Sequence, residues 1–405
     1  MMKYLFLIVL YFIALTHVTA QIDQEELIYA KMDIAPQYEL WDGNKTMLMG
    51  FTSLIGKPIT LQAPRLIFNE GDSIKLSLWN FSQGAPHTIH LHGLDVNQQN
   101  DGVPSLSFEV EHDETGHYYF KAPHPGTYIY HCHVVSALHV QAGMYGLVIV
   151  KPSNGSNTTW DGGYTYDNDV AWLTSELDTL WHHDTIINHP HDPLATTMEI
   201  QNYYPNYFLV NGFSKQQIYE DNNSTINSAA NEVTLLRLAN IGNYGNRIIL
   251  PSTLNSKIIS SDGRPLQTEY FSDTIVILPG ERYQVLLTPT IEFQDSIEVE
   301  YFSLNTENIE GIEKIPVDIN EFLTTKLNVI ENDFLVYPSP TNNKITVETN
   351  NTNGTIYIYS SIGQLKLSLD TKGSKYIDVS NWDKGIYFIS FKSVNAIKTK
   401  KIIIN

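Results

Sequence analysis

Apolar and polar residues alternate with a period of two in short runs along almost the whole chain, and this excludes most folds. Ser73-Ile74-Lys75-Leu76-Ser77-Leu78-Trp79 is one such run, and Thr127-Tyr128-Ile129-Tyr130 and Tyr145 to Val150 are others. Alternation puts every second side chain on one face of a strand. Gly, Pro, Asn and Asp punctuate the runs, while sustained helical periodicity is nearly absent. The expected class is all-β, built of sandwiches or barrels.

The runs are organised as a repeat. Asp72 to Asn80 is an alternating strand ending in Asn, and Glu232 to Asn240 has a similar form. Thr115-Gly116-His117-Tyr118-Tyr119 has an echo in Pro279-Gly280-Glu281-Arg282-Tyr283. Two homologous β-domains are therefore expected at residues 21–155 and 165–325, joined by the polar stretch Ser153 to Gly163. A third unit at 333–405, of short strands and a Lys-rich end, is long enough only for a small β-sandwich with a modest core.

At the start, Lys3, the apolar run Tyr4 to Leu15 and the small residues Val18-Thr19-Ala20 read as an export signal over residues 1–20. No later stretch is apolar for the roughly 20 residues of a membrane span. A formal charge of −19 argues against nucleic acid as a partner. A single cysteine in an exported chain cannot form an internal disulfide, so Cys132 bridges to another chain, lies idle, or holds a metal.

Its neighbours decide among these. One cluster is His87-Thr88-Ile89-His90-Leu91-His92-Gly93, and the other is Tyr130-His131-Cys132-His133, followed by His139 and Met144. Alternation gives His90 and His92 a common face, and His131 and His133 another, with Cys132 opposite its two flanking histidines. Cys132 turned inward with His87, His139 and the thioether of Met144 makes the two-His, one-Cys set with axial Met that marks blue copper. Core filling is the lesser reading of Met144. Outward-facing His90, His92, His131 and His133 make a separate all-imidazole surface, suited to copper that meets oxygen. Cys132 would connect the two sets by a single covalent step to each flanking histidine.

These segments resemble the copper motifs of the multicopper oxidases. The resemblance covers about residues 60 to 290, and implies two cupredoxin-like Greek-key β-barrels. It assigns His87, Cys132, His139 and Met144 to blue copper, and His90, His92, His131 and His133 to a type 2/type 3 copper cluster, with Cys132, His131 and His133 as the catalytic relay. Asp101-Gly102-Val103-Pro104 resembles a family turn. The chain departs from the pattern in two places. The second blue-copper His follows Cys132 by seven residues rather than five, which implies an insertion at Val134 to Leu138. The second domain has Arg247-Ile248-Ile249-Leu250-Pro251 where histidines would stand, so half of a trinuclear ligand set is missing.

The implied activity is oxidation of a phenolic or metal-ion substrate at the blue copper and reduction of dioxygen to water. A homo-oligomer is expected to complete the cluster, either two first domains meeting about a two-fold axis or a trimer that draws ligands from the second domain, His189 or His191 first among them. Met47 and Met49 are too few to indicate cuprous specificity. A copper nitrite reductase and a non-catalytic cupredoxin carrier are the rival readings; His133 speaks against the first. His182, His183, His189 and His191 read as loop residues, with metal binding the lesser alternative. His112, His117 and His124 read as structural. Residues 333–405 resemble a type IX secretion type A sorting domain, from the Tyr337-Pro338-Ser339-Pro340 start to Lys384-Gly385-Ile386-Tyr387. This implies passage through the type IX machinery to the surface or medium of a Bacteroidetes-like Gram-negative cell.

Overall fold

A computed structural model describes residues 22–187, 203–321, 334–349, 353–361, 363–393 and 397–405. The export signal at 1–20 and the pair His189 and His191 lie outside the described residues. The chain divides into two compact units, which part near residue 322.

The larger unit holds two barrels, each of two sheets. In the first barrel, Met49–Thr52, Gln24–Met32, Ser73–Asn80 and Thr115–Lys121 lie side by side in one sheet. Leu66–Asn69, Tyr145–Lys151, Gly126–His131 and His90–His92 make the other. The alternation read in Ser73–Asn80 sends Ile74, Leu76 and Leu78 into a core shared with Phe51, Phe68, Tyr118 and Tyr130.

The second barrel repeats this plan. Asn168–Leu177 runs parallel to Thr234–Asn240 as Gln24–Met32 does to Ser73–Asn80. Arg282–Leu287 pairs with Thr234–Asn240 as Thr115–Lys121 pairs with Ser73–Asn80. Gly245–Ile249 pairs antiparallel with Phe293–Phe302 in the place where His90–His92 pairs with Gly126–His131. Thus Arg247 and its neighbours occupy the strand that carries His90 and His92 in the first barrel.

A buried apolar cluster fills the space between the barrels, with Leu61, Ile129, Tyr145 and Leu147 from the first against Ala171, Leu173, Tyr207 and Leu209 from the second. This explains the strand Gly126–His131, whose six residues are all buried. Tyr128 and Tyr130 enter the first core, while Ile129 enters the inter-barrel cluster. The alternation expected of Thr127 to Tyr130 is therefore corrected: the strand is buried on both faces and has no solvent side.

In the C-terminal unit, a sheet of Leu365–Lys372, Asn353–Ser360, Gly385–Ser393 and Ile397–Ile404 accompanies one of Leu335–Tyr337, Lys344–Glu348 and Lys375–Asp378. Ile345, Ile356, Ile358, Ile389 and Ile402 make its core.

Candidate metal centre

Cys132 follows the last residue of Gly126–His131 and keeps the inward phase of Tyr128 and Tyr130. Its sulfur is fully buried, 3.7 Å from His87 Nδ1 and 3.2 Å from His139 Nδ1. The His87 and His139 rings are 4.9 Å apart. Met144 is also fully buried in this core, and its carbonyl accepts the Cys132 amide proton at 3.0 Å. The longer spacing to His139 is absorbed by a short helix, Ser136–Gln141, entered through Val135 at φ 41° and ψ 52°. His139 sits in its last turn.

The protons around His87 can be placed by counting donors. Asn80 Oδ1 is acceptor only, so the Ser82 hydroxyl donates to it at 2.6 Å. Ser82 Oγ must then accept from His87 Nε2–H at 2.5 Å. This leaves the lone pair on Nδ1, facing the sulfur. Asn80 also donates to the Ala85 and Val110 carbonyls at 2.9 Å each, which shapes the turn leading to His87. In the second barrel Asn240 holds a similar turn, donating to Tyr244 and Ile277 carbonyls, with no imidazole attached.

Burial pushes the Cys132 thiol up to about 11, against the smaller lowering effects of the Thr88 and Val134 backbone. A sulfur so placed keeps its proton unless a cation stabilises the thiolate. A soft thiolate flanked by two imidazole nitrogens in a dry pocket, with Met144 packed in the same core, suits copper in the blue-copper arrangement. The residues present fit that group.

On the other face of Cys132, His90 lies 5.1 Å from His131 and 5.2 Å from His133, ring centre to ring centre. His90, His92 and His131 each offer one nitrogen within 4.8 Å of the others. His90 Nδ1–H donates to the Asp101 carbonyl at 2.7 Å, and His131 Nδ1–H to the Cys132 carbonyl at 2.9 Å. Both Nε2 lone pairs are left for a metal. Burial drives His131 down to about 3 and His92 down to about 4, with the Arg282 charge adding to the effect at His92. Neutral imidazoles are the ligand form.

The expectation of an outward-facing imidazole surface needs a correction. His131 has the phase of Ile129, which faces the second barrel, and is itself only 7% exposed. The turn before Arg282–Leu287 lies against His92, with Gly280 in contact and the Arg282 guanidinium over Gly93. His90, His92 and His133 stay partly exposed. The sequence signalled this turn only as an echo of Thr115 to Tyr119, and gave no sign that it covers His92.

Among the described residues, the other histidines stand apart from both sets. His182 is buried and bonded through Nδ1 to the Met47 carbonyl at 2.6 Å, while His183 is exposed. His112 bonds the Ser82 carbonyl, His117 bonds Ser77, and His124 lies 4.0 Å from Asp95.

Gly102 sets the position of His90. It adopts φ +75°, and a Cβ there would stand 1.9 Å from the Ile89 carbonyl oxygen. Gly102→Ala is expected to shift the strand His90–His92 and to cost about 1–3 kcal/mol in backbone strain alone. Copper analysis should find metal lost from the imidazole set and the blue absorption retained; equal loss of both would show that the turn supports the whole barrel instead.

Comparison with known proteins gives three family matches. Models described as multicopper oxidase match residues 45–155 and 177–302, and one described as a secretion system C-terminal sorting domain matches 335–405. Copper resistance protein A of Escherichia coli is 43% identical over 91 residues, covering 22% of this chain and 14% of that protein. L-ascorbate oxidase of Cucurbita pepo var. melopepo is 27% identical over 278 residues, covering 62% of this chain and 47% of that one. The chain thus spans less than half the length of these curated relatives. Among solved structures, the blue copper oxidase from Nitrosomonas europaea has a TM-score of 0.57 at 24% identity, covering 73% of this chain and 86% of its own.

Proposed function

Because this chain belongs to the multicopper oxidases and carries a secretion-system sorting domain behind its two oxidase domains, we propose that it is an exported, copper-dependent oxidoreductase. It takes single electrons from a phenolic or metal-ion reductant and passes them to dioxygen, which is reduced to water. The observation that carries this reading is Cys132, held between His87 and His139 in a dry pocket while its two sequence neighbours turn to a second imidazole set.

Bound copper supplies reversible one-electron chemistry at the first set and a place where dioxygen can be reduced at the second. His87, Cys132, His139 and Met144 are the ligands proposed for the first; His90, His92, His131 and His133 for the second. The protein's own part is to fix tautomers. Ser82 and Asn80 hold the proton of His87 on Nε2, and the Asp101 and Cys132 carbonyls hold those of His90 and His131 on Nδ1. Cys132 joins the two sets through one peptide step to either histidine.

Four imidazoles are half of what a trinuclear set needs, and the second barrel brings Gly280 and Arg282 to His92 rather than histidines. We therefore propose a second copy of the chain as the partner, approaching over the partly exposed His90, His92 and His133. The sorting domain directs secretion, and a Bacteroidetes-like cell is the proposed source.

The test is an oxygen electrode with a phenol and with nitrite, joined to mass measurement and metal analysis. Oxygen uptake with the phenol and about five copper ions per pair of chains is the expected result. Nitrite reduction would indicate the reductase alternative, and a blue protein without turnover would indicate an electron carrier. An active monomer would remove the proposed partner.

A further inference from the structure

Beside the helix that carries His139, a second group of reactive side chains lies outside both ligand sets. Tyr203 Oη accepts a hydrogen bond from Gln141 Nε2 at 3.0 Å and donates one to Glu176 Oε1 at 3.0 Å. Gln141 ends the same short helix, two residues after His139. Glu176 is 2% exposed. Its Oε1 also accepts from the Asn243 and Tyr244 amides, whereas Oε2 has no hydrogen-bond partner and lies against Gly242, where a Cβ would be 2.0 Å away. A buried carboxylate with one empty acceptor oxygen costs energy, and a proton removes that cost. Burial accordingly pushes the Glu176 carboxyl up to about 7.

Tyr203 is also part of an aromatic path. Its ring meets Trp181 edge-on, at 5.1 Å and 69°. Trp181 packs with Leu138 and Ile186 in one buried cluster, and Leu138 adjoins His139. On the other side, Tyr203 borders a cavity of about 610 Å³ with Tyr204, Asn243, Tyr244, Leu304 and Glu310. This lining has aromatic faces, the amides of Asn243 and Asn305, the hydroxyls of Ser303 and Thr306 and one carboxylate, and no cation. It favours small neutral aromatics with a hydroxyl and disfavours anions.

We propose that this cavity binds small phenols, and that Tyr203, with Glu176 as its proton acceptor and Trp181 as the bridge, relays their electrons to the ligand set at His139. This rests on the copper reading above. In the first step Tyr203 gives one electron through Trp181 to oxidised copper, which is reduced by one electron, while the Tyr203 O–H proton passes to Glu176. A neutral tyrosyl radical remains. In the second step the phenol O–H bond breaks and the Tyr203 O–H bond forms again, so that a phenoxyl radical leaves. Glu176 then releases its proton to water. The net change is one phenol oxidised to phenoxyl and a proton, and one copper ion reduced.

The relay predicts a difference between reductants. In anaerobic stopped flow on the copper-loaded full chain, bleaching of the blue colour by 2,6-dimethoxyphenol should slow about tenfold to a hundredfold in Tyr203→Phe. Bleaching by hexacyanoferrate(II), an anion with no proton to lose, should not change. Glu176→Gln removes the proton acceptor, so it should slow the phenol reaction as Tyr203→Phe does while leaving bleaching by hexacyanoferrate(II) unchanged, and it tests the same step if Tyr203→Phe fails to fold. Fluorine NMR of 4-fluorophenol with the copper-free full chain should show binding that Leu304→Trp removes. A blue Tyr203→Phe protein that bleaches with the phenol as fast as the parent overturns the relay alone. A parent chain that never binds copper overturns the oxidase reading, and the relay with it.

Discussion

Cys132→Ser is expected to leave the copper-treated protein colourless and its oxidase activity at background. The intense colour of a blue site comes from the bond between thiolate and copper, and a serine hydroxyl in the same dry pocket cannot ionise to replace it. Burial already holds the native thiol up to about 11, so only the added attraction of the metal releases its proton. An oxygen in that position lacks the softness for this exchange. His87 would stay in place because Ser82 still holds its Nε2, and His139 because its helix sets it. The imidazole set on the opposite face should keep its own metal. Absorption, copper analysis and oxygen uptake on one preparation, with circular dichroism to verify the fold, make the measurement. Persistence of the blue colour in the variant would remove Cys132 from the ligand set.

The next largest effect should come from a residue with no part in the chemistry. Arg237 is 2% exposed and grips Asp169 with two hydrogen bonds, Nε at 2.6 Å and Nη2 at 2.9 Å. Its third nitrogen, Nη1, reaches Thr127 Oγ1 across the inter-barrel boundary at 3.3 Å, on the strand that leads to Cys132. Arg237→Ala should destabilise the larger unit by about 1–3 kcal/mol, because it empties a buried guanidinium site and breaks its hydrogen bonds to Asp169 and Thr127. Replacing both partners with apolar residues, Arg237→Met with Asp169→Leu, should recover most of the loss. Burial pushes the Asp169 carboxyl up, but the guanidinium outweighs it and holds the group below its ordinary value. A depressed carboxylate contributes stability that is full at neutral pH and fades as pH falls from about 3.9 through the folded value. The parent should therefore lose more stability on acidification than the double variant. Urea unfolding at neutral and acid pH reads both effects, and a single-variant loss below about 1 kcal/mol would show the pair to be a mere surface contact.

Much of this was legible in the sequence because strand periodicity is geometric. Once Gly126–His131 was a strand, Cys132 had to oppose His131 and His133, and His90 had to share a side with His92. The repeat of an alternating strand ending in Asn was equally readable, and Asn80 and Asn240 turn out to hold equivalent turns. What periodicity cannot give is which layer covers a face. His131 and Ile129 have one phase, but that this phase meets another barrel depends on Ala171, Leu173 and Leu209, far along the chain. Arg282 was visible only as part of a repeat, and its place over Gly93 follows from docking of the barrels rather than from local pattern. Glu176 was hidden for another reason. It sits in the fully buried second half of its strand, Ala171 to Leu177, so nothing distinguished a proton acceptor from an ordinary strand end until Tyr203 and Asn243 were brought to it.

The unequal burial of the two ligand sets has a consequence for how the protein matures. Cys132, His87 and His139 have no exposed surface, so an ion arriving after folding must displace the helix Ser136–Gln141 or wait for the barrel to open. His90, His92 and His133 can be reached from solvent without any such movement. Copper uptake by the folded chain should accordingly be biphasic, with a fast phase limited by diffusion and a slow phase limited by local opening. A chain folded where the metal is scarce would then pass through a half-loaded stage, and would acquire its colour last.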